Sequence, residues 1–110
     1  MTNTAIAFPH SDEGYNFQNV GTIGSPIFCI NRGGDYVVTA NGGTTWNSGT
    51  LSLNKLASDG TTWLKAVSTA ATADTVYVAG VMSAGQYQFV VNGATAQVSL
   101  NIGIGRGRTD

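Results

Sequence analysis

From residue 27 onward, apolar side chains recur at every second position in short runs, and glycine- and asparagine-rich breaks separate the runs. The cleanest run is the last. Val98, Leu100, Ile102 and Ile104 share one face, and Gln97, Ser99 and Asn101 the other. That two-residue period is the signature of a half-buried strand. Thr50–Leu56 alternates Leu51 and Leu53 against Ser52 and Asn54, and Gln86–Val91 alternates Tyr87, Phe89 and Val91 against Gln86 and Gln88. Trp63–Val67 sets Trp63, Lys65 and Val67 against Leu64 and Ala66. Thr75–Val81 sets Val76 and Val78 against Tyr77, Ala79 and Val81. Ile27–Ile30 is a short apolar strand, and Asp35–Ala40 is rich in the strand formers Tyr36, Val37, Val38 and Thr39.

The breaks carry turn chemistry. Asn31-Arg32-Gly33-Gly34, Asn41-Gly42-Gly43 and Ser83-Ala84-Gly85 supply glycine where positive φ is needed. Ser58-Asp59-Gly60-Thr61 and Asn92-Gly93 are hairpin signals, the second the stronger. Ser68–Asp74 predicts a loop or a single helical turn. No stretch has an amphipathic helical period. About seven short strands at this spacing predict an all-β fold, an antiparallel β-sandwich or a partly closed barrel.

Residues 1–26 follow no such period. They hold both prolines, the single histidine His10, the pair Asp12-Glu13 and the isolated aromatics Phe8, Tyr15 and Phe17. They read as an extended N-terminal arm in front of a β domain spanning 27–110. The arm would lie on its own domain or on a neighbour, which makes Phe8, Tyr15 and Phe17 candidate interface residues.

The 110 residues suffice for one domain, and 15 glycines with 10% charged residues suit short strands and tight turns. A formal net charge of −1, with Arg32, Lys55, Lys65, Arg106 and Arg108 scattered, provides no basic patch and argues against nucleic-acid binding. So little charge fits either an extensive interface or a surface of solvated threonine and asparagine. The lone Cys29, inside the apolar run 27–30, is expected to be a buried structural thiol. No run is long enough to span a membrane, and the N-terminus lacks the basic and apolar regions of a secretory signal. Synthesis as a soluble cytoplasmic protein is expected.

Catalytic chemistry finds no foothold, so no catalytic, cofactor-binding or metal-binding residues are assigned. His10 has no partner cysteine or second histidine for a metal and no nucleophile elbow nearby. Asp12 and Glu13 are adjacent, so an extended chain points them apart. Asp35, Asp59 and Asp74 fall at predicted turns, where Asp bonds local backbone amides. Gly103-Ile104-Gly105-Arg106-Gly107 follows a strand, but no helix follows it to bind a dinucleotide phosphate.

The string Gly-Thr-Thr-Trp occurs twice, at 43–46 and 60–63. With Thr39 and Asn41 ahead of it, the first copy loosely resembles the Asp-box hairpin of sialidase-type propellers. Shared hairpin grammar accounts for both copies, and an exposed Trp46 or Trp63 would be a candidate platform for stacking a sugar ring.

The order of the turn strings carries a further likeness. Gly49-Thr50-Leu51-Ser52-Leu53 is followed by Ser58-Asp59-Gly60-Thr61-Thr62-Trp63, then Ser83-Ala84-Gly85-Gln86-Tyr87, then Gly93-Ala94-Thr95. From Asp35 to Arg106 the chain resembles small phage and prophage virion structural proteins of the capsid decoration, or cement, type. The resemblance implies a protein of the virion surface that stabilises the assembled head by bridging subunits of the major capsid protein. It also implies self-association or lattice contacts between copies. It carries over no functional residues, because it concerns turns and core positions. The alternatives are a carbohydrate- or receptor-binding module of a tail or spike, and a neck or tail adaptor.

Overall fold

A computed structural model describes residues 14–106, and more than half of those residues are strand. The eight strands are β1 (Gly14–Val20), β2 (Phe28–Ile30), β3 (Gly34–Asn41), β4 (Thr50–Leu56), β5 (Trp63–Lys65), β6 (Thr75–Met82), β7 (Gly85–Asn92) and β8 (Leu100–Arg106). They form two antiparallel four-stranded sheets that pack as a sandwich and do not close into a barrel. The first sheet has the order β1-β8-β3-β6 and the second β2-β7-β4-β5.

The two-residue period builds the core directly. β8 turns Leu100, Ile102 and Ile104 inward, β3 Tyr36, Val38 and Ala40, β4 Leu51 and Leu53, and β7 Tyr87, Phe89 and Val91. These side chains interdigitate in one layer between the sheets, and burying each Val, Leu, Ile or Phe among them contributes roughly 1.5–3 kcal/mol before conformational entropy is set against it. The two large phenols bury their rings and still find acceptors for their hydroxyls. Tyr36 Oη donates to the Arg32 carbonyl at 2.6 Å and Tyr87 Oη to the Ser83 carbonyl at 2.7 Å.

Five expectations change. The strand β1 lies inside the stretch read as an arm, paired antiparallel with β8 along Gly14–Phe17. Its alternation, Tyr15 and Phe17 against Asn16 and Gln18, breaks at Asn19 (φ +57°), where the register shifts before Val20 reaches Leu100. The bulge hides the period from a sequence reading. Beyond it, Ser25 ties the chain to β7. Its amide donates to the Phe89 carbonyl at 2.9 Å, and its hydroxyl accepts from the Phe89 amide at 3.0 Å. Residues 1–13 of the expected arm lie outside the described residues.

Cys29 is exposed, not buried. Phe28 and Ile30 take the inward positions of β2, so the residue between them points to solvent, as does Ile27. A four-residue apolar run cannot reveal which parity faces the core.

The alternation of β6 reverses in mid-strand. Tyr36 pairs with Gly80 but Val37 with Val78, which leaves Ala79 as the extra residue of a bulge at Gly80 (φ +90°). Tyr77 and Ala79 pack on the core, and after the bulge Met82 does so. Val81, expected on the same face as Tyr77, is 83% exposed.

Asn92-Gly93 does not close a hairpin: β7 belongs to the second sheet and β8 to the first, so the segment crosses the sandwich. The Asp59-Gly60 turn does join the paired strands β4 and β5, with Gly60 alone at positive φ (+79°). The predicted strand 63–67 stops at Lys65. The Ala66 amide still donates to the Leu53 carbonyl, after which Val67 drops into the core and Ala71 bridges Leu51.

Candidate interaction surfaces

The outer face of the first sheet is made of the residues that alternate away from the core. β1 presents Asn16 and Gln18, β8 Asn101 and Gly103, β3 Thr39 and Asn41, and β6 Val76 and Val78. Across the four strands, Asp35 is the sole charged residue at an outward position. Two shallow troughs mark this face. One, of about 490 Å³, lies between β3 and β6 and includes Thr39, Asn41, Asp74 and Val76. The other, of about 380 Å³, lies over β8 and includes Asn16, Gln18, Thr39, Asn101 and Gly103. A methyl group on Gly103 would stand 2.9 Å from both Asn16 Oδ1 and Thr39 Oγ1, so two polar atoms converge over bare backbone there. The face can offer amide and hydroxyl groups to a partner; it cannot provide a field that attracts a polyanion.

Of the residues expected at an interface, Tyr15 and Phe17 lie against the protein's own core, and Phe8 is outside the described residues. Ring centroids separate Phe28 from Tyr15 by 5.0 Å, from Phe17 by 5.3 Å and from Phe89 by 5.6 Å. This cluster joins β1 of one sheet to β2 and β7 of the other, and each such pair adds about 0.5–1.5 kcal/mol beyond its buried area. Tyr15 Oη also donates to the Cys29 carbonyl, which closes one end of the sandwich.

The two tryptophans have different fates. Trp46 ends a short 3-10 turn, Gly43–Trp46, and is only 5% exposed, so its ring offers no face to a sugar. Its indole Nε1 donates to Asp74 Oδ1 at 2.7 Å, and the same carboxylate accepts from the Gly42 and Gly43 amides at 2.7 and 3.1 Å. The Trp46 indole first, then the Gly42 amide, hold the Asp74 carboxyl below its ordinary value of 3.8. The Asp74 bonds therefore reach across the fold rather than to its own turn. Trp63, on β5, is half-buried. The Asp59 carboxyl does bond locally, to the Thr62 hydroxyl at 2.6 Å and to the Thr61 and Thr62 amides at 2.9 Å. These contacts, with the Thr62 hydroxyl foremost, lower it to about 2.

No group of three or more His, Cys, Asp and Glu able to hold a metal occurs among the described residues. Lys55 Nζ donates to Ser83 Oγ and stands 5.7 Å from the Tyr87 ring centroid. This pair packs the β6–β7 corner. No family model, curated protein or solved structure matches the chain.

The sheet edges differ from one another. β2 and β5 are three residues long, and β5 carries Lys65. β1 is bulged at Asn19. β6 is eight residues long, TVYVAGVM, without a charge or a proline, and shows Val76, Val78 and Val81 at 67%, 65% and 83% exposure.

Proposed function

We propose that the protein is a structural component of a phage virion that decorates the assembled head, where it bridges major capsid subunits on the outer surface. The observation that carries this reading is the outer face of the first sheet, four strands wide, with Asp35 as its sole outward charge. A face of amides, hydroxyls and valines suits contact with another protein surface. The turn strings that resemble decoration proteins support the reading as well. They lie on β4, on the β4–β5 turn, at the start of β7 and in the crossing from β7 to β8. They build the support and leave the outer face of the first sheet free to vary with the partner.

The work of such a protein is physical. A protein that binds the assembled lattice and not its free subunits stabilises the lattice by mass action. Many copies held on one particle then act as a multivalent net. No reactive group is needed, and synthesis in the host cytoplasm would precede addition to the head.

Mixing the purified protein with heads that lack it, followed by mass spectrometry of the washed particles, tests this. A copy number that scales with the number of major capsid subunits, together with heads that resist heat better, is the expected result. Absence of binding, or occupancy of a single ring's worth of sites, overturns the reading; the latter would point to a neck or tail adaptor.

A further inference from the structure

Among the edges of the two sheets, β1 and β6 are the long ones without charge or proline, and of these β6 alone exposes large apolar side chains. Natural sheets guard such edges with charges, bulges or short strands, because an open edge pairs with another chain. Here the bulge at Ala79–Gly80 guards only the far half and leaves Thr75–Val78 as a regular, unguarded ladder.

We propose that β6 is a self-association edge, which pairs antiparallel with β6 of a second copy about a two-fold axis through Tyr77. Three observations select a second copy as the occupant. First, the strand is uncharged, so it meets itself without like-charge repulsion, which a charged edge could not do. Second, within the regular stretch Thr75–Val78 the two-fold register Tyr77 to Tyr77 is the one that sets both exposed valines in cross-strand pairs. Third, that register puts Val76 of each copy opposite Val78 of the other on the outer face, so that the exposed valines cover one another. On the inner face it sets the two Tyr77 side chains side by side. Their hydroxyls are buried and have no hydrogen-bond partner among the described residues.

The result is isologous, as closed dimers require, and it fuses two four-stranded sheets into one continuous sheet. So short a ladder buries far less than the roughly 1,600 Å² of a standard interface, so the dimer is weak and forms on concentration. It would act where copies are held side by side. Its existence in solution does not depend on capsid attachment, so the two proposals can fail separately.

Sedimentation of the full chain from about 10 μM to about 1 mM should show a monomer–dimer equilibrium. The variant V76K/V78K places like charges opposite each other and should weaken dimerisation about tenfold or more. V76K/V78E places opposite charges in the same register and should recover it. Both positions face solvent, and circular dichroism checks that each variant folds. A wild-type chain that stays monomeric throughout overturns the proposal, as does a V76K/V78K variant that dimerises unchanged. So does a V76K/V78E variant no better than V76K/V78K. A dimer abolished by removing residues 1–13 but indifferent to the valines would assign the contact to that segment and also overturn it.

Discussion

At the scale of single residues, the Asp59 and Asp74 carboxylates tie turns and connections into the fold. Asp59 accepts from the Thr62 hydroxyl and from two amides, and its folded value of about 2 lies below its ordinary 3.8. Asp74 is lowered too, by the Trp46 indole and the Gly42 amide. A carboxyl lowered on folding contributes stability that is fully present above its unfolded value and is lost as pH falls through its folded value. For Asp59 that window runs from about 4 down to about 2. Denaturant midpoints measured across this range should fall with pH, and the fall should be shallower in Asp59→Asn and in Asp74→Asn. An unchanged acid limb in both variants would remove the two carboxylates from the account. Both groups are fully exposed, so salt will screen part of the effect. The Asp59 contacts were legible in the sequence, since Asp-Gly-Thr-Thr bonds itself within a turn. Those of Asp74 were not, because Trp46 and Gly42 come to it across the fold. Trp46 therefore looked like a free aromatic until its partner was placed.

At the scale of elements, strands were legible wherever polar residues occupied the outward positions. Ser52 and Asn54 on β4, and Gln86 and Gln88 on β7, mark the solvent face, so the inward set is unambiguous. On β6 the valines fall at both parities, 76 and 78 against 81, and the bulge turns all three to solvent. Gly80 makes that bulge at φ +90°, and a methyl group added there meets nothing within 4 Å. The cost of Gly80→Ala is thus backbone strain alone, about 1–2 kcal/mol. Deletion of Ala79 is a different perturbation. It removes the extra residue, so Val78 and Gly80 sit opposite Val37 and Tyr36 in one regular ladder, with Val81 still outward and Met82 still inward, and the fold should survive it. Thermal melts of the two variants check this: both should unfold in a single cooperative transition, and an Ala79 deletion that abolishes the fold would show that the bulge does more than reset the parity of the strand.

At the scale of the whole molecule, the chain shuttles between sheets. Only β4 and β5 are consecutive strands that pair, and every other connection crosses the sandwich or enters it from the far sheet. Local turn chemistry does not encode that choice, which is why Asn92-Gly93 read as a hairpin while the chain there crosses between layers. The same topology makes the N-terminal boundary a matter of packing. β1 closes one edge of the first sheet, and its Tyr15 and Phe17 cover Phe28 on the second. Removal of residues 1–13 leaves every one of those contacts in place, so the remaining chain should keep a single cooperative unfolding transition. Removal of residues 1–20 takes away Tyr15, Phe17 and Val20, which bares Phe28 and the β8 edge and should cost several kcal/mol, enough to abolish most of a small domain's stability. Near-ultraviolet circular dichroism and denaturant unfolding of the two truncations separate these outcomes. If the shorter chain unfolds as cooperatively and as late as the longer one, β1 is dispensable, and the working boundary of the β domain moves back toward residue 26.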